Sequence, residues 1–323
     1  MDVALVTGAA GFVGSHLVEA LLAEGRHVRG IDCFTPYYHR STKEANLAEA
    51  RRSGAFEFHE ADLRTTDLSS LLDDVEVVFH QAAQPGVRLS WAEGFAEYES
   101  CNLLVTQRLL EAARGLPLRR FVYASSSSVY GNAPQYPTSE ASPASPQSPY
   151  GVTKLAAEHL CRLYASNYGI PTVSLRYFTV YGPRQRPDMA THRLIEAALN
   201  GHPFPLYGDG SHVRDFTFVG DVVAANLLAS RQPLSAGEVI NICAGGSVTM
   251  SELIEMVGTA VDGSVSVDLQ PEQPGDVHRT GGDGTVALKL LGWSPQTSLS
   301  QGISAQVAWH RAQRRSGPPP VVG

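Results

Sequence analysis

Short apolar runs alternate with helix-patterned segments through the first 180 residues. The run from Val75 to Phe79 is mostly apolar, which is typical of a strand buried on both faces of a parallel sheet. After the first run, Val3–Val6, the residues Val13, Leu17 and Leu21 recur at helical spacing. Six such strand–helix alternations predict an α/β fold built on a doubly wound parallel sheet.

The alternation becomes irregular beyond Pro183, where proline, glycine and arginine are interleaved. A helix predicted at 221–230 and a strand predicted at 239–243 are expected to return to the first domain. We therefore expect a large first domain and a smaller C-terminal substrate-binding region. The expected bounds are 1–180 with 215–245 for the first, 181–214 and 246–315 for the second, a loose lid from Thr249 onward, and a disordered tail at 316–323.

Composition and charge narrow the classes of function. The 323 residues are 43% hydrophobic and 18% charged, with a formal charge of −7 and no block of lysine or arginine. This balance argues against a nucleic-acid or anionic-membrane surface. Four scattered cysteines indicate neither a disulfide framework nor a zinc site, so no metal is expected. The apolar start lacks a basic leader and is broken by glycines, which favours a cytoplasmic protein without a membrane span.

A glycine-rich turn joins the first strand to the first helix. A turn of this kind lets backbone N–H groups and the helix N-terminus face a pyrophosphate. The next strand ends at Asp32, where a carboxylate can accept hydrogen bonds from a ribose 2′-OH and repel a 2′-phosphate. The turn predicts a Rossmann-type site, and the acid favours NAD over NADP, although Arg40 follows in the next loop. The residues expected to bind the cofactor here are Gly8, Gly11, Phe12, Val13, Gly14 and Asp32.

Other cofactor candidates follow later strands. Asp62 and Leu63 stand where a carboxylate and neighbouring backbone could meet an adenine amine, although an ordinary loop aspartate or helix cap explains Asp62 equally well. The small residues after the strand at 75–79 would let a cofactor lie against the backbone. The further cofactor-binding candidates are Gln81, Ala82, Ala83 and Tyr177.

Tyr150 and Lys154 lie four residues apart at the start of a helix-patterned run. One helical turn places both side chains on the same face. An ammonium group beside a phenol stabilises the phenolate, so we expect the pKa of Tyr150 to fall toward the range in which it exchanges a proton with a substrate hydroxyl. Four serines, 125–128, end the preceding strand, where their hydroxyls can donate to a carbonyl or alkoxide. These residues predict the acid/base part of a hydride-transfer site.

The segments TGAAGFVG, the serine run, YGVTK and YFTVYGP, in this order and with Asp32, resemble the nucleotide-sugar branch of the extended short-chain dehydrogenase/reductase family. The resemblance covers residues 1 to about 310. It implies that Tyr150 is the acid/base, that Lys154 lowers its pKa and holds the nicotinamide ribose, and that Ser126 binds the reacting hydroxyl. It also implies an NAD cofactor and a UDP-sugar substrate.

Two downstream segments resemble the family's diphosphate- and uridine-binding segments, namely VRDFTFV and GDVHRT. Arg214 and Arg279 are the expected anion clamps, because guanidinium groups suit phosphate oxygens. Many relatives carry an arginine two residues before this Gly-Asp, where the present chain departs from the pattern with Gln273. A surface salt bridge is the alternative for either arginine.

The serine run also bears on the reaction. Sugar 4,6-dehydratases of this family carry an Asp-Glu pair at the places of Ser127 and Ser128, and uronate decarboxylases a glutamate at the second. A 4-epimerase needs neither group. Segments around Asp32, Gln84 and Arg186 resemble UDP-glucuronate 4-epimerases more than UDP-glucose 4-epimerases, which favours conversion of UDP-glucuronic acid to UDP-galacturonic acid. The substrate-binding candidates are Pro85, Gly86, Arg88, Ser126, Ser127, Ser128, Tyr150, Thr179, Arg186, Arg214 and Arg279.

Several alternatives stay open at this stage. A UDP-glucose 4-epimerase, a UDP-glucuronate decarboxylase and a 4-ketoreductase share the first hydride transfer. A non-catalytic NAD sensor would keep the glycine turn, although such proteins usually lose the acid/base residue. We also expect a homodimer in which the helices at 95–113 and 149–167 pair into a four-helix bundle, as in relatives.

Overall fold

A seven-stranded, wholly parallel sheet forms the centre of the protein, which we describe from a computed structural model covering residues 3–272 and 277–315. The predicted tail at 316–323 lies outside the described residues. So does Gln273, which stands where many relatives have an arginine, together with the adjoining Gly275 and Asp276. The strands are β1 (Val3–Thr7), β2 (His27–Asp32), β3 (Phe56–Glu60), β4 (Val75–His80), β5 (Arg120–Ser126), β6 (Thr172–Tyr177) and, in chain order, β10 (Glu238–Ile242).

The strand order is β10-β6-β5-β4-β1-β2-β3. The order reverses at β1, because the chain runs outward through β2 and β3 and then returns to place β4 on the other side. In such sheets the carboxyl ends of the strands border a crevice at the reversal. The predicted doubly wound fold is confirmed, and the crevice is where the candidate residues gather.

Helices cover both faces of the sheet. The predicted helix at 95–113 is divided, because a π-helical segment, Glu99–Leu104, lies between the helices Phe95–Tyr98 and Val105–Ala112. The helix after the serine run begins at Ser148, whose side chain accepts from Gly151 N, and ends at Gly169 with φ +70°. The helices on the sheet are α1 (Phe12–Ala23), α2 (Arg40–Asn46), α3 (Leu68–Leu71), α4 (Phe95–Tyr98), α5 (Val105–Ala112), α6 (Pro149–Tyr168) and, in chain order, α8 (Val219–Ala229).

The core has two layers because successive side chains of a strand point to opposite faces. On β1, Ala4 and Val6 enter one cluster with α1 and α8, whereas Leu5 enters the other with α5 and α6. All three are fully buried. Each large aliphatic side chain buried in this way contributes about 1.5–3 kcal/mol, so the two layers hold the strand ends in place.

The C-terminal region has a core of its own. It contains a three-stranded sheet of order β11-β9-β7, a two-stranded sheet of β8 and β12, and helices packed around Leu194, Leu253 and Ile303. These elements are β7 (Thr179–Tyr181), α7 (Ala190–Asn200), β8 (Phe204–Tyr207), β9 (Val213–Phe218), β11 (Ser247–Thr249), α9 (Met250–Ala260), β12 (Val267–Gln270) and α11 (Leu299–Arg315), whereas α10 (Thr285–Leu291) packs on the core of the first domain.

The expectation of a loose lid from Thr249 onward is wrong. A capping box between Thr249 and Glu252 starts α9, and Leu253 and Val257, one turn apart, are fully buried. Further on, Leu291 and Trp293 enter the core cluster of the first domain. The segment is therefore packed against both cores, through Leu253 and Val257 on the C-terminal core and through Leu291 and Trp293 on the core of the first domain. Among the described residues, no helix is long and apolar enough to cross a membrane.

Candidate active site

A cavity of about 450 Å³ opens at the carboxyl ends of the sheet strands and extends to the C-terminal region. Its wall contains all three candidate catalytic residues, Ser126, Tyr150 and Lys154. It also contains every residue predicted to bind the cofactor. These are Gly8, Gly11, Phe12, Val13, Gly14, Asp32, Asp62, Leu63, Gln81, Ala82, Ala83 and Tyr177.

The glycine turn brings the N-terminus of α1 to the cavity wall. Gly8 has φ +66°, and a Cβ on Gly14 would lie 2.1 Å from the Gly8 carbonyl oxygen, so the turn has no room for side chains. The N-cap Gly11 offers no side-chain acceptor to the first-turn N–H groups of α1. Those N–H groups have no acceptor within the helix. They fit the pyrophosphate of NAD, whose anionic oxygens they can bind.

Asp32 lies where the cofactor's adenosine ribose is expected. Its carboxylate accepts from Phe34 N at 2.8 Å and from Ala10 N at 3.2 Å, while burial raises its pKa against the opposing charge of Lys43. Arg40, the residue that left room for NADP, is turned away from the cavity. Its guanidinium binds Glu60 through two contacts of 2.7 Å. The arrangement favours a ribose without a 2′-phosphate.

Asp62 has a local role in addition to its place on the cavity wall. Its Oδ1 accepts from the Arg64 backbone N at 2.8 Å, and its Oδ2 from Arg64 Nη2 at 2.7 Å. The hydrogen bonds from Arg64 hold the pKa of the Asp62 carboxyl below its usual value. Asp62 therefore orders its own loop, and contact with an adenine amine stays a prediction.

The acid/base residues meet at the end of β5. Ser126 stabilises the ionised form of the Tyr150 phenol, and its Oγ accepts from Ser128 N at 3.2 Å. Lys154 is 3% exposed and donates from Nζ to the carbonyl oxygen of Ala124 at 2.8 Å. Tyr150 and Lys154 thus face the same crevice from α6, as their spacing predicted.

The expected lowering of the Tyr150 pKa by Lys154 is wrong for the protein as it stands. Burial raises the pKa of the phenol, and the effects that oppose burial are the hydrogen bond from Ser126 and the charge of Arg186. Burial also lowers the pKa of Lys154 to about 7. The ammonium group is turned toward a backbone carbonyl, so it acts on Tyr150 less than sequence spacing implied.

The other end of the cavity carries hydroxyls and one deeply placed guanidinium. Arg186 has a side chain 19% exposed, and it binds the Asp188 carboxylate through two contacts of 3.0 Å. Tyr37 donates to the same carboxylate at 3.2 Å. The predicted substrate residues that line this cavity are Pro85, Gly86, Ser126, Ser127, Ser128, Tyr150, Thr179, Arg186 and Arg214.

Two predicted substrate residues do not line the cavity. Arg88 lies in a short turn and stacks its guanidinium on Tyr207, 4.2 Å from the ring centre. Arg279 stacks on Tyr136 at 4.8 Å. Each guanidinium lies on an aromatic ring that sequence adjacency does not reveal, and the assignment of both arginines to the substrate stays a prediction. Arg214 stays on the wall and donates from Nη1 to the carbonyl oxygens of Val213 and His278 at 2.9 and 3.3 Å.

Some cavity residues were missed by the sequence reasoning. Tyr37 meets Gly86, where a Cβ would lie 2.6 Å from the tyrosine oxygen. Lys43 is 5% exposed and donates to the carbonyl oxygen of Thr35 at 3.0 Å. Both follow Asp32 in a segment whose resemblance to epimerases was the available signal. Met189 also lines the cavity, and no pattern marked it.

A possible set of metal ligands lies apart from this cavity. His192, Glu196 and His310 bring their ligand atoms within 4.8 Å of one another. Both oxygens of Glu196 already accept, one from His310 Nδ1 at 2.5 Å and the other from Arg314 at 2.8 Å. The nearby arginine charge opposes a cation, so the cluster is explained as a contact between α7 and α11.

Comparison with known proteins agrees with this geometry. YtcB of Bacillus subtilis, described as an uncharacterized UDP-glucose epimerase, is 44% identical over 94% of this chain and 96% of its own. The UDP-glucose 4-epimerase of Mycolicibacterium smegmatis is 39% identical over 95% and 98%. A crystal structure of UDP-glucuronic acid 4-epimerase from Bacillus cereus, with UDP-glucuronic acid and NAD, shares 43% identity and a TM-score of 0.93 over 97% and 99%.

Residues 4–243 match the NAD dependent epimerase/dehydratase family. The match spans the glycine turn, the serine run and the Tyr150–Lys154 pair. It also includes the residues of the cavity wall that are predicted to bind NAD. The chain therefore belongs to the NAD dependent epimerase/dehydratase family, as the order of its motifs predicted.

Proposed function

We propose that this protein is an NAD-dependent 4-epimerase of UDP-sugars and that it converts UDP-glucuronic acid to UDP-galacturonic acid. The observation that carries the uronate is the sugar end of the cavity, where Arg186 lies close enough to Tyr150 for its charge to lower the phenol's pKa. Among the described wall residues, the carboxylates are Asp32 and Asp62, and Asp188, which is not on the wall, already pairs with Arg186. Asp32 and Asp62 follow β2 and β3, on the side assigned to the adenosine half of NAD.

The chain's own residues account for the proton half of the reaction. Ser126 and Tyr150 lie on the same wall, so the substrate's C4 hydroxyl is expected between them, with Tyr150 taking its proton. Bound NAD supplies a hydride acceptor, and its oxidised ring adds a positive charge that opposes the burial effect on the Tyr150 pKa. Lys154 holds the nicotinamide ribose in this proposal. The same phenol returns the proton after the sugar has turned over.

The turnover of the 4-keto ring requires room at the serine end. Ser127 and Ser128 present small side chains, and Gly86, at φ +97°, brings only backbone to the wall. The dehydratase and decarboxylase acids are absent from the places of Ser127 and Ser128. These features favour return of the hydride to the opposite face of the ring over elimination.

A uronate adds a chemical constraint. A 4-keto uronic acid is a β-keto acid, which loses CO₂ when the bond to its carboxylate stands perpendicular to the ketone plane. An epimerase has to hold the carboxylate near that plane. Thr179, Ser127 and Ser128 offer neutral hydroxyl donors for this purpose, and Arg186 offers a charge. A neighbouring glutamate would repel the carboxylate.

The test is to incubate the purified protein with UDP-glucuronic acid, without added NAD, and to follow the anomeric protons by NMR. UDP-galacturonic acid is the expected product, and its formation would also show that the cofactor co-purifies. A UDP-pentose would mean that the carboxylate is not held and that the protein is a decarboxylase. If the protein turns over UDP-glucose and not UDP-glucuronic acid, the substrate is a neutral sugar, as the names of two relatives suggest. Net consumption of added NADH would indicate a ketoreductase.

We also propose a homodimer. The helices expected to pair carry exposed apolar side chains on the outside of the molecule, including Phe95, Leu104 and Leu163 at 40, 47 and 54% exposure. A second copy that applied the same face would bury them. Light scattering on the purified protein should give twice the chain mass, and a monomer would overturn the dimer without affecting the assignment of the site. The cytoplasmic location stays a prediction.

A further inference from the structure

A buried ion pair lies behind the acid/base residues. Glu158 and Arg176 have side chains 2% and 8% exposed. Arg176 Nε donates to Oε1 at 2.9 Å and Nη2 donates to Oε2 at 2.7 Å. Removing two charges from water is costly, and such a pair is weak support for stability by itself. Its position in the fold therefore calls for another explanation.

The pair connects three elements of the active site. Tyr150, Lys154 and Glu158 follow at intervals of four along α6, which places them along one side of the helix. Glu158 accepts from the hydroxyl of Ser125, the residue before Ser126. Arg176 precedes Tyr177, which lines the cavity. Glu158 thus ties the catalytic helix to the ends of both β5 and β6.

The pair also continues away from the cavity. Arg176 Nη1 donates to the Tyr130 oxygen at 2.7 Å, and the Tyr130 hydroxyl donates to Asn241 Oδ1 at 2.7 Å. Asn241 N in turn donates to Glu140 at 2.7 Å. The guanidinium therefore has partners on both sides, and its geometry does not depend on Glu158 alone.

Glu158 follows Lys154 by one helical turn on the same side of α6. The groups that face the ammonium are His80 on β4, Tyr123 on β5 at 5.1 Å from Nζ to the ring centre, and, on α6 itself, Cys161. Burial keeps all three uncharged near neutral pH, because it lowers the pKa of His80 to about 3 and raises those of Tyr123 and Cys161. The charge of Glu158 opposes the loss of the Lys154 proton.

We propose that Glu158 is a positioning residue that holds α6 so that Tyr150 faces Ser126 and that places a negative charge one helical turn from Lys154. The proposal rests on the roles given above to Tyr150 and Lys154. Arg176 donates to both oxygens of Glu158, so the carboxylate is fixed between α6 and β6. The ion pair therefore serves the catalytic helix more than the stability of the fold.

The test is the pH profile of kcat in Glu158→Gln, which preserves shape and removes the charge. Loss of a negative charge favours the neutral amine of Lys154 and the phenolate of Tyr150. Both limbs of the profile should therefore move to lower pH, by about one unit. At a pH one unit above the wild-type optimum, the variant should lose about tenfold more activity than at the optimum, because the neutral amine then predominates.

Three further variants separate charge from packing. Glu158→Asp keeps the charge and should restore the position of the profile. Arg176→Gln leaves the carboxylate unpaired and should move the profile to higher pH, so a failure of Glu158→Gln to fold still leaves a test of opposite sign. Glu76→Gln removes a carboxylate that pairs with Arg26 and Arg119, each at 3.0 Å, and should leave the profile in place.

A Glu158→Gln profile that superimposes on the wild-type profile, with only lower amplitude, would overturn the proposal and leave a structural role. Tyr150→Phe distinguishes the two levels of inference. If Tyr150→Phe is inactive while the Glu158 profile does not move, only the positioning role fails. If Tyr150→Phe retains activity, the assignment of the acid/base residue fails first.

Discussion

Thr179→Val tests how the carboxylate of a uronate is held. Thr179 opens β7 and lies on the cavity wall, and its backbone is paired in register with Phe216 of β9. Valine has nearly the same shape and is favoured in strands. The substitution therefore removes one hydroxyl from the cavity and leaves the strand in place.

The expected effect follows from the strength of one hydrogen bond to a charged group, about 1.5–3 kcal/mol. Loss of that bond frees the carboxylate to leave the ketone plane, which corresponds to a roughly 10- to 150-fold rise in the ratio of pentose to epimer. Ser127, Ser128 and Arg186 remain, so we expect the lower end, about tenfold. NMR of the anomeric protons after incubation with UDP-glucuronic acid measures the ratio.

Thr217→Val is the matched control. Thr217 pairs with Val180 on the neighbouring strand, is fully buried and does not line the cavity. Its hydroxyl has no hydrogen-bond partner in the described part of the chain, so valine should leave the product ratio unchanged and the stability equal or higher. An unchanged ratio in Thr179→Val would refute the reasoning and make Thr179 a packing residue of the strand end.

Three other substitutions test the site and the fold. Tyr150→Phe should lower kcat by about 10²–10⁴-fold while the purified protein keeps its bound nucleotide, which absorbance measures; normal turnover would remove Tyr150 from the mechanism. Burial lowers the pKa of His80 from 6.5 to about 3, so the unfolded state binds the proton first and stability is lost as pH falls below 6.5. The unfolding free energy falls by about 1.4 kcal/mol per pH unit. Denaturant melts at several pH values measure the slope of the unfolding free energy against pH, and His80→Gln should lower that slope by this amount. An unchanged slope in the variant would contradict a buried neutral His80. Gly302→Ala would place a Cβ 2.1 Å from the hydroxyl of the fully buried Tyr181 and should cost about 1–3 kcal/mol, whereas Gly54→Ala, with open space around it, should be neutral; equal thermal melts would show that α11 packs differently.

The order of motifs was enough to predict the family, the parallel sheet and the use of NAD. A glycine turn after an apolar strand and an acid at the end of the next strand are local patterns, and their chemistry does not depend on distant residues. The spacing of Tyr150 and Lys154 likewise predicted one helix face. These features could be read from the sequence because helix and strand periods place neighbouring residues in a known way.

Tertiary packing decided which arginines reach the cavity and how the acid/base residues are charged. Arg88 and Arg279 stack on Tyr207 and Tyr136, rings from distant segments that sequence spacing does not reveal. The pKa of Tyr150 depends on burial, on Ser126 and on Arg186, which lies far from it along the chain. Burial and long-range contacts arise only when the chain has folded, so sequence spacing could name the candidate residues but not their electrostatic surroundings.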